Sequence, residues 1–365
     1  MRGEPGMEKL VYNILSLFDR SQEPVNSSRV ARLLSAQGID LSERTVRYHL
    51  HVLEQHGYIQ GRPRKGRVIT EKGRQELSRS FVYSRVGGII NKIQNFSFLT
   101  DFNTATRQGR LMVNVCYIDE TLRAAAIHAM APVLCSPFSF SSSLLIRQPG
   151  DRIGDFTVPR SRIGIGTVCS MSLSGIMLKM GIPMTPRYGG TVQIVAQLPR
   201  RFTSFIGYEQ SSVAPLEIFM KSGMTDVTGA ATSGTGEVLG SFCEIPGLCL
   251  TEVRVLCERL RGCGMGGTVL FGMPNQPVLG MPVTPGKAGM VVLSGLNPIA
   301  ALIEAGIEVQ CYALDTLCAY EMMTPVASIT EDDAAAGKAL QQAVCGGMPY
   351  PSARASGFTA VVSPR

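Results

Sequence analysis

Arg44, Thr45, Arg47, Tyr48 and His51 fall within eight residues of one another, in the stretch DLSERTVRYHLHVLEQHG at 40–57. Guanidinium, hydroxyl and imidazole groups at this density donate to phosphate oxygens and to base edges. A second group follows in GRPRKGR at 61–67, where Arg62, Arg64, Lys65 and Arg67 lie close together. Cations gathered at a turn suit contact with a phosphate backbone, which carries no sequence information. The whole chain has a net charge of +7. Residues 1–86 hold 15 Lys/Arg and 9 Asp/Glu, a net of +6, whereas residues 87–365 hold 20 and 19, a net of +1. The positive excess is thus confined to the segment that carries these candidates, and double-stranded DNA is the partner it implies.

Such groups act only when a rigid element presents them. Ser42 is a good helix N-cap, and Glu43 puts a carboxylate where the helix dipole favours one. Val46, Leu50 and Leu53 recur at i, i+4 and i+7, a single apolar stripe that leaves the five donors on the other faces. Upstream, 8–19 carries Leu10, Ile14, Leu17 and Phe18 at helical spacing. Asn26 or Ser27 caps a second helix with Val30, Leu33 and Leu34 turned inward, and Gly38 ends it. Downstream, strands at 58–60 and 67–70 flank the turn GRPRKG, and Thr70 caps a fourth helix over 71–79. Helix, helix, basic helix and basic hairpin, in that order, predict a winged helix–turn–helix domain over 7–82. A solvated basic face on an ordinary helix is the plainer alternative.

The remainder has another character. High glycine and proline content (39 and 21 residues), 7% aromatic residues and no tryptophan suit a loop-rich α/β (α+β) regulatory domain, placed at 83–328. No apolar run is long enough for a membrane helix, and residues 1–6 do not resemble a signal peptide. The expectation is a cytoplasmic protein without a membrane partner. Ten cysteines, Cys116 to Cys345, form no CxxC pair, so core packing is expected, with no metal site, disulfide framework or cofactor. Residues 84–95 form an amphipathic helix leading out of the first domain. Residues 329–365 read as a poorly ordered tail.

Internal repetition organises the larger domain. GRLMVNVCYID at 109–119 and GEVLGSFCEIP at 236–246 share one frame at an offset of 127 residues. Each leads into a helical pattern, at 120–133 and 250–260. A second frame, G-x-P-x-T-P-x(3)-G-x-V, occurs at 181–194 and 280–293, with a looser copy, VPRSRIGIGTV, at 158–168. Three short apolar helices, 175–180, 215–222 and 298–305, each end at Gly followed by an apolar residue. Tandem strand–helix units imply parallel or mixed sheets covered on one face by helices. The repeat implies two related lobes, 100–230 and 231–325, around a pseudo-symmetric cleft suited to a small ligand.

The repeat loops supply groups for an anion: Arg160 and Arg162, Cys169 and Ser170, Thr185 and Arg187, Thr284 and Lys287. Guanidinium, ammonium and hydroxyl groups beside glycine-rich turns can hold a small dicarboxylate. Tight turns with their cations in water are the plainer reading of the same residues, and Cys169 has a buried-filler reading beside it. An enzyme is the rival class, but the larger domain has one histidine, His128, and neither GxSxG, HExxH nor a P-loop.

Together, LSERTVRYHL, GIGTVCS, GIPMTP, FGMPNQPVLGMPV and SGLNPIAALIEAGIE resemble the NrpR family of nitrogen-regulatory repressors, from about residue 8 to about residue 325. The resemblance implies a winged helix joined to an effector and oligomerisation domain, acting as a homodimer or tetramer on operator DNA. It also implies repression of nitrogen-assimilation genes and release by the small-molecule effector 2-oxoglutarate. One regulatory domain is read here where some members have two, which leaves open a second NrpR-type subunit as partner. A larger half that only oligomerises is the alternative.

Overall fold

The computed structural model of the protein describes residues 5–21, 24–35, 39–62, 66–79, 88–267 and 269–329. The chain divides into two units between Val86 and Gly87. The first contains α1 (Pro5–Arg20), α2 (Ser27–Ser35), α3 (Glu43–Gln55), β1 (Ile59–Arg62), β2 (Gly66–Ile69) and α4 (Glu71–Arg79). The caps are those the sequence implies. Asn26 accepts from the Arg29 N–H at 2.9 Å, Ser42 from Thr45 at 3.1 Å and Thr70 from Gly73 at 3.0 Å. Val46, Leu50 and Leu53 are buried against Ile14, Phe18, Val30 and Leu34. Each such side chain contributes about 1.5–3 kcal/mol on leaving water. The sequence did not indicate a third strand segment. Val25 exchanges backbone hydrogen bonds with Arg67 (2.8 and 2.9 Å) and widens the wing sheet. Gly38, Arg64 and Lys65, named from the sequence, lie outside the described residues, as do 330–365 of the tail.

The second unit opens with α5 (Gly88–Leu99), then runs β3 (Arg110–Asp119), α6 (Arg123–Leu134), β4 (Ser143–Arg147), a small hairpin of β5 (Arg152–Ile153) and β6 (Phe156–Thr157), β7 (Arg162–Val168), α7 (Ser172–Lys179) and β8 (Thr185–Val195). An insertion follows: β9 (Leu198–Gly207), α8 (Pro215–Lys221) and α9 (Val227–Ser233). The second repeat is β10 (Gly236–Pro246), α10 (Leu250–Gly262), β11 (Val269–Phe271), β12 (Lys287–Leu293), α11 (Asn297–Glu304) and β13 (Gln310–Ala319), closed by β14 (Thr324–Pro325) and α12 (Val326–Ile329).

Both repeats are β-α-β-β-α-β units, and they exchange their last strands. One sheet runs β13-β3-β7-β4-β14, the other β11-β12-β10-β8-β9. In each, the first, third and second strands of one repeat are joined by the fourth strand of the other, the strand order of a split β-α-β unit. Every described strand pair is antiparallel, which corrects the expectation of parallel or mixed sheets. The first and second strands of a repeat are parallel, as a helical crossover requires, but the third lies between them. The strands also misled because both faces are covered, so their side chains read as continuous apolar runs. On β3, Leu111, Val113, Val115 and Tyr117 enter one core with α5, α7 and α10. Cys116 and Ile118 enter a second core with α6, α8, α9 and α11. The pseudo-dyad therefore interchanges the two cores, and the repeats interlock rather than form separate lobes.

The second sequence frame is not a repeat in space. The counterpart of 283–293 is the loose copy at 158–168, because β12 corresponds to β7. Residues 181–194 enter β8, on the other side of β10 from β12. The three Gly-apolar helix ends, by contrast, share one geometry. Ile182, Met224 and Ile307 each donate a backbone N–H five residues back, to Met177, Phe219 and Leu302 (2.9–3.2 Å), after a left-handed glycine. This is the Schellman closure.

Candidate nucleic-acid interface and effector site

Helix α3 turns Val46, Leu50 and Leu53 inward and leaves Arg44, Arg47, Tyr48 and His51 exposed, Tyr48 by 63%. Thr45 is half-buried, and its hydroxyl meets that of Ser42 at 2.8 Å. Arg47 donates to Glu43 at 2.6 Å, and Ser27 of α2 donates to the same carboxylate oxygen at 3.1 Å. The Arg47 hydrogen bond, with smaller help from Ser28 and Ser27, holds the Glu43 carboxyl below its ordinary range. Glu43 thus joins the two helices and steadies the start of α3. His49 is buried, and burial lowers its pKa, so its neutral ring belongs to the packing.

On the wing, Arg62 is exposed, but Arg67 is not a free cation. Its Nε donates to Glu54 at 3.1 Å, and the other Glu54 oxygen accepts from the Gly61 N–H at 2.8 Å. The carboxylate fastens the hairpin to α3, and Arg67, expected as a phosphate contact, is held in this tie. Glu54 was missed because only the fold brings it beside the hairpin.

The anion candidates of the second unit separate into three places. Arg160 and Arg162 sit at the start of β7, whereas Cys169 and Ser170 lie past its other end, about 20 Å away by strand geometry. Thr185, Arg187 and Thr284 gather around Glu244 of β10. Thr185 is opposite it in register, and Thr284 donates its N–H at 2.6 Å and its hydroxyl at 3.0 Å. Arg187 approaches Glu244 at 3.6 Å and Glu209 at 3.0 Å. These groups are engaged by a carboxylate of the chain itself, 5% exposed. At the related place in the other repeat, Tyr117 and Tyr312 meet edge to face, their ring centroids 5.9 Å apart. Lys287 is half-buried at the start of β12, opposite Pro246.

Cys169 and Ser170 line a cavity of about 30 Å³ where the repeats cross, with Ile89, Asn114, Tyr208, Ser294 and Leu314 in its wall. Asn114 donates there to Thr167 at 3.3 Å and accepts from the Leu314 N–H at 3.1 Å. Burial pushes the Cys169 thiol up to about 12, so it contributes a neutral wall. Cys116 and Cys257 are likewise pushed up to about 12 by burial. Among the described residues no group of three or more His, Cys, Asp or Glu is placed to hold a metal ion. No described helix is long and apolar enough to cross a membrane.

Comparison with known proteins accounts for both units. The NrpR regulatory domains NRD1 and 2 match residues 86–325, and the ribonuclease R winged-helix domain matches residues 12–77. The chain is 30% identical over 323 residues to the global nitrogen regulator NrpRI of Methanosarcina mazei, covering 88% of this chain and 99% of that one. Identity to the global nitrogen regulator NrpR is 29% for Methanococcus maripaludis and 27% for Methanocaldococcus jannaschii. Those matches cover 80% and 87% of this chain, but it spans only 51% and 55% of the two relatives. A crystal structure of a nitrogen repressor-like protein from Methanococcus jannaschii aligns with a TM-score of 0.55 at 23% identity, over 65% of this chain and 98% of that one, and shows a shared fold. With a winged helix in front of a regulatory domain matched almost end to end, the chain belongs to the NrpR family.

Proposed function

We propose that the chain is a sequence-specific transcriptional repressor in nitrogen regulation, with α3 reading an operator and a small anionic metabolite controlling it. The observation that carries the DNA reading is the division of α3: an apolar stripe locked in the core and Arg44, Arg47, Tyr48 and His51 facing outward. A homodimer would set two such helices about 10 bp apart, or a multiple, on a palindromic site. The nitrogen role rests on the relatives' names, and 2-oxoglutarate as the effector rests on the family resemblance. Gel-shift titration on the chain's own upstream region, with and without 2-oxoglutarate, tests this. Saturable binding that weakens with the metabolite supports it, and indifference to DNA even in dilute salt overturns it.

A second unit that only assembles copies is the other reading, favoured by the small size of the cavity, room for about one water. Calorimetric titration with 2-oxoglutarate separates the two, since a pure assembly module shows no saturable heat.

A further inference from the structure

The tie between Glu43 and Arg47 sets one guanidinium of α3 apart from the other. Arg47 Nη2 donates to Glu43 Oε1 at 2.6 Å across one helical turn, and the Arg47 side chain stays 67% exposed while paired. Arg44, also exposed, has no acidic partner among the described residues. A lone ion pair of this kind on a helix surface is worth little. This one is not alone. The Ser27 hydroxyl, in the first turn of α2, donates to the same Glu43 oxygen at 3.1 Å. The spacing of Glu43 and Arg47 is visible in the sequence, but the third member comes from 16 residues upstream on another helix.

The consequence for Arg47 follows from its donors. A guanidinium carries five N–H groups in one rigid plane, and Glu43 takes one of them. The others stay available, in a direction set by a carboxylate that is itself fastened to two helices. An arginine held in this way loses less freedom when it meets the paired acceptors of a guanine edge. It is also restrained from phosphates. Reaching one means breaking the pair or carrying the Glu43 carboxylate towards a like charge.

We propose that Glu43, anchored by Ser27, is a specificity-determining positioning residue, which holds the Arg47 guanidinium for base edges and keeps it from the phosphate backbone. The proposal rests on the reading of α3 as the helix that enters the groove, and it names the residue that makes that helix selective. Glu43 acts through Arg47 and touches no base itself. A carboxylate that accepts directly from a cytosine amino group is the competing role, and it would need neither Arg47 nor Ser27.

Gel-shift titration of the full chain tests this, on a duplex selected by the wild type from a random pool and on unselected duplex. Glu43→Gln is expected to weaken binding to the selected duplex and strengthen it to the unselected one, so that the ratio of the two affinities falls about tenfold. The salt slope on unselected duplex steepens by about 1, as Arg47 gains a phosphate. In an Arg47→Ala background the same substitution leaves the ratio unchanged. Ser27→Ala keeps both charges and removes only the anchor. It lowers the ratio about twofold, and it carries the test should Glu43→Gln not fold. A carboxylate that only steadies α3 would weaken both duplexes, and a charge that only repels DNA would strengthen both alike. A direct base contact would lower the ratio even without Arg47. Any of these three results overturns the proposal, as does an unchanged ratio in either variant. If the wild type binds neither duplex, or both alike, the reading of α3 itself fails.

Discussion

A Cβ added at Gly295 would stand 1.8 Å from the carbonyl oxygen of Val168. Val168 ends β7 of the first repeat and Gly295 lies just past β12 of the second, so this contact is where the two halves cross. The Gly295 carbonyl accepts from the Thr167 hydroxyl at 2.7 Å, which closes the crossing further. No side chain can be accommodated without separating the repeats. Gly295→Ala is therefore expected to lower the stability of the second unit by about 3 kcal/mol, at the top of the range for overpacked sites. The denaturant midpoint measures it, and an unchanged midpoint would show that the crossing yields easily.

Asn297 ties the same crossing together from the side-chain direction. Its carbonyl oxygen accepts from the Leu239 N–H at 2.8 Å, and its amide donates to Phe138 at 2.7 Å and Leu239 at 3.1 Å. The residue is fully buried. Asn297→Leu leaves backbone groups of both repeats without partners, at about 1–3 kcal/mol for each orphaned group. Thermal unfolding of the variant should show a clear fall, and a shift no larger than that of an exposed control such as Gln94→Leu would refute the role.

Glu244 is expected to matter for folding more than for ligand binding. Glu244→Leu strands the Thr284 N–H and hydroxyl and leaves Arg187 only Glu209, a loss of about 2–3 kcal/mol. Glu209→Gln, which touches the same Arg187 from an exposed position, should stay within about 0.5 kcal/mol. Comparable losses for the two would show that burial of Glu244 is not what makes it costly to remove.

The lowered pKa of His49 fixes the sign of one pH dependence. Its folded value lies below the ordinary 6.5, so the unfolded chain binds the extra proton first. The stability from a neutral buried ring is fully present above about pH 6.5 and is lost as pH falls through the folded value. Melting of the DNA-binding unit, followed from pH 8 to roughly pH 5, should show a decline that flattens in His49→Gln. A slope that persists unaltered in that variant would assign the pH dependence to other groups.

Recognition and attachment separate by residue. Replacing Arg44 or Arg47 by Ala is expected to cost about 1–3 kcal/mol on operator DNA and to relax sequence preference. Arg62→Ala should weaken all sequences alike and reduce the salt slope by about 1. Arg67→Gln, which breaks the link to Glu54, should lower thermal stability while random-DNA affinity changes little. Gel shifts at two salt concentrations decide between these patterns, and an Arg47→Ala protein with unchanged discrimination would remove α3 from the reading role.

Local order and spacing were enough for the helices and caps of the first unit. Caps at Asn26, Ser42 and Thr70 and the stripe Val46, Leu50 and Leu53 are set by neighbours three to seven residues away, so they could be read directly. The repeat and the three Gly-closed helices were legible for the same reason. What tertiary structure decided was everything that joins distant residues. A last strand that crosses to the other sheet leaves no mark in a local pattern, and neither does a third strand inserted between a parallel pair. Arg67 and Arg187 looked like free cations because charge is visible in a sequence and its partner is not. Pairing with Glu54 and Glu244 turned them into structural ties, while the cavity lined by Cys169 and Ser170 exists only because two repeats, 127 residues apart in their first strands, cross at Val168 and Gly295.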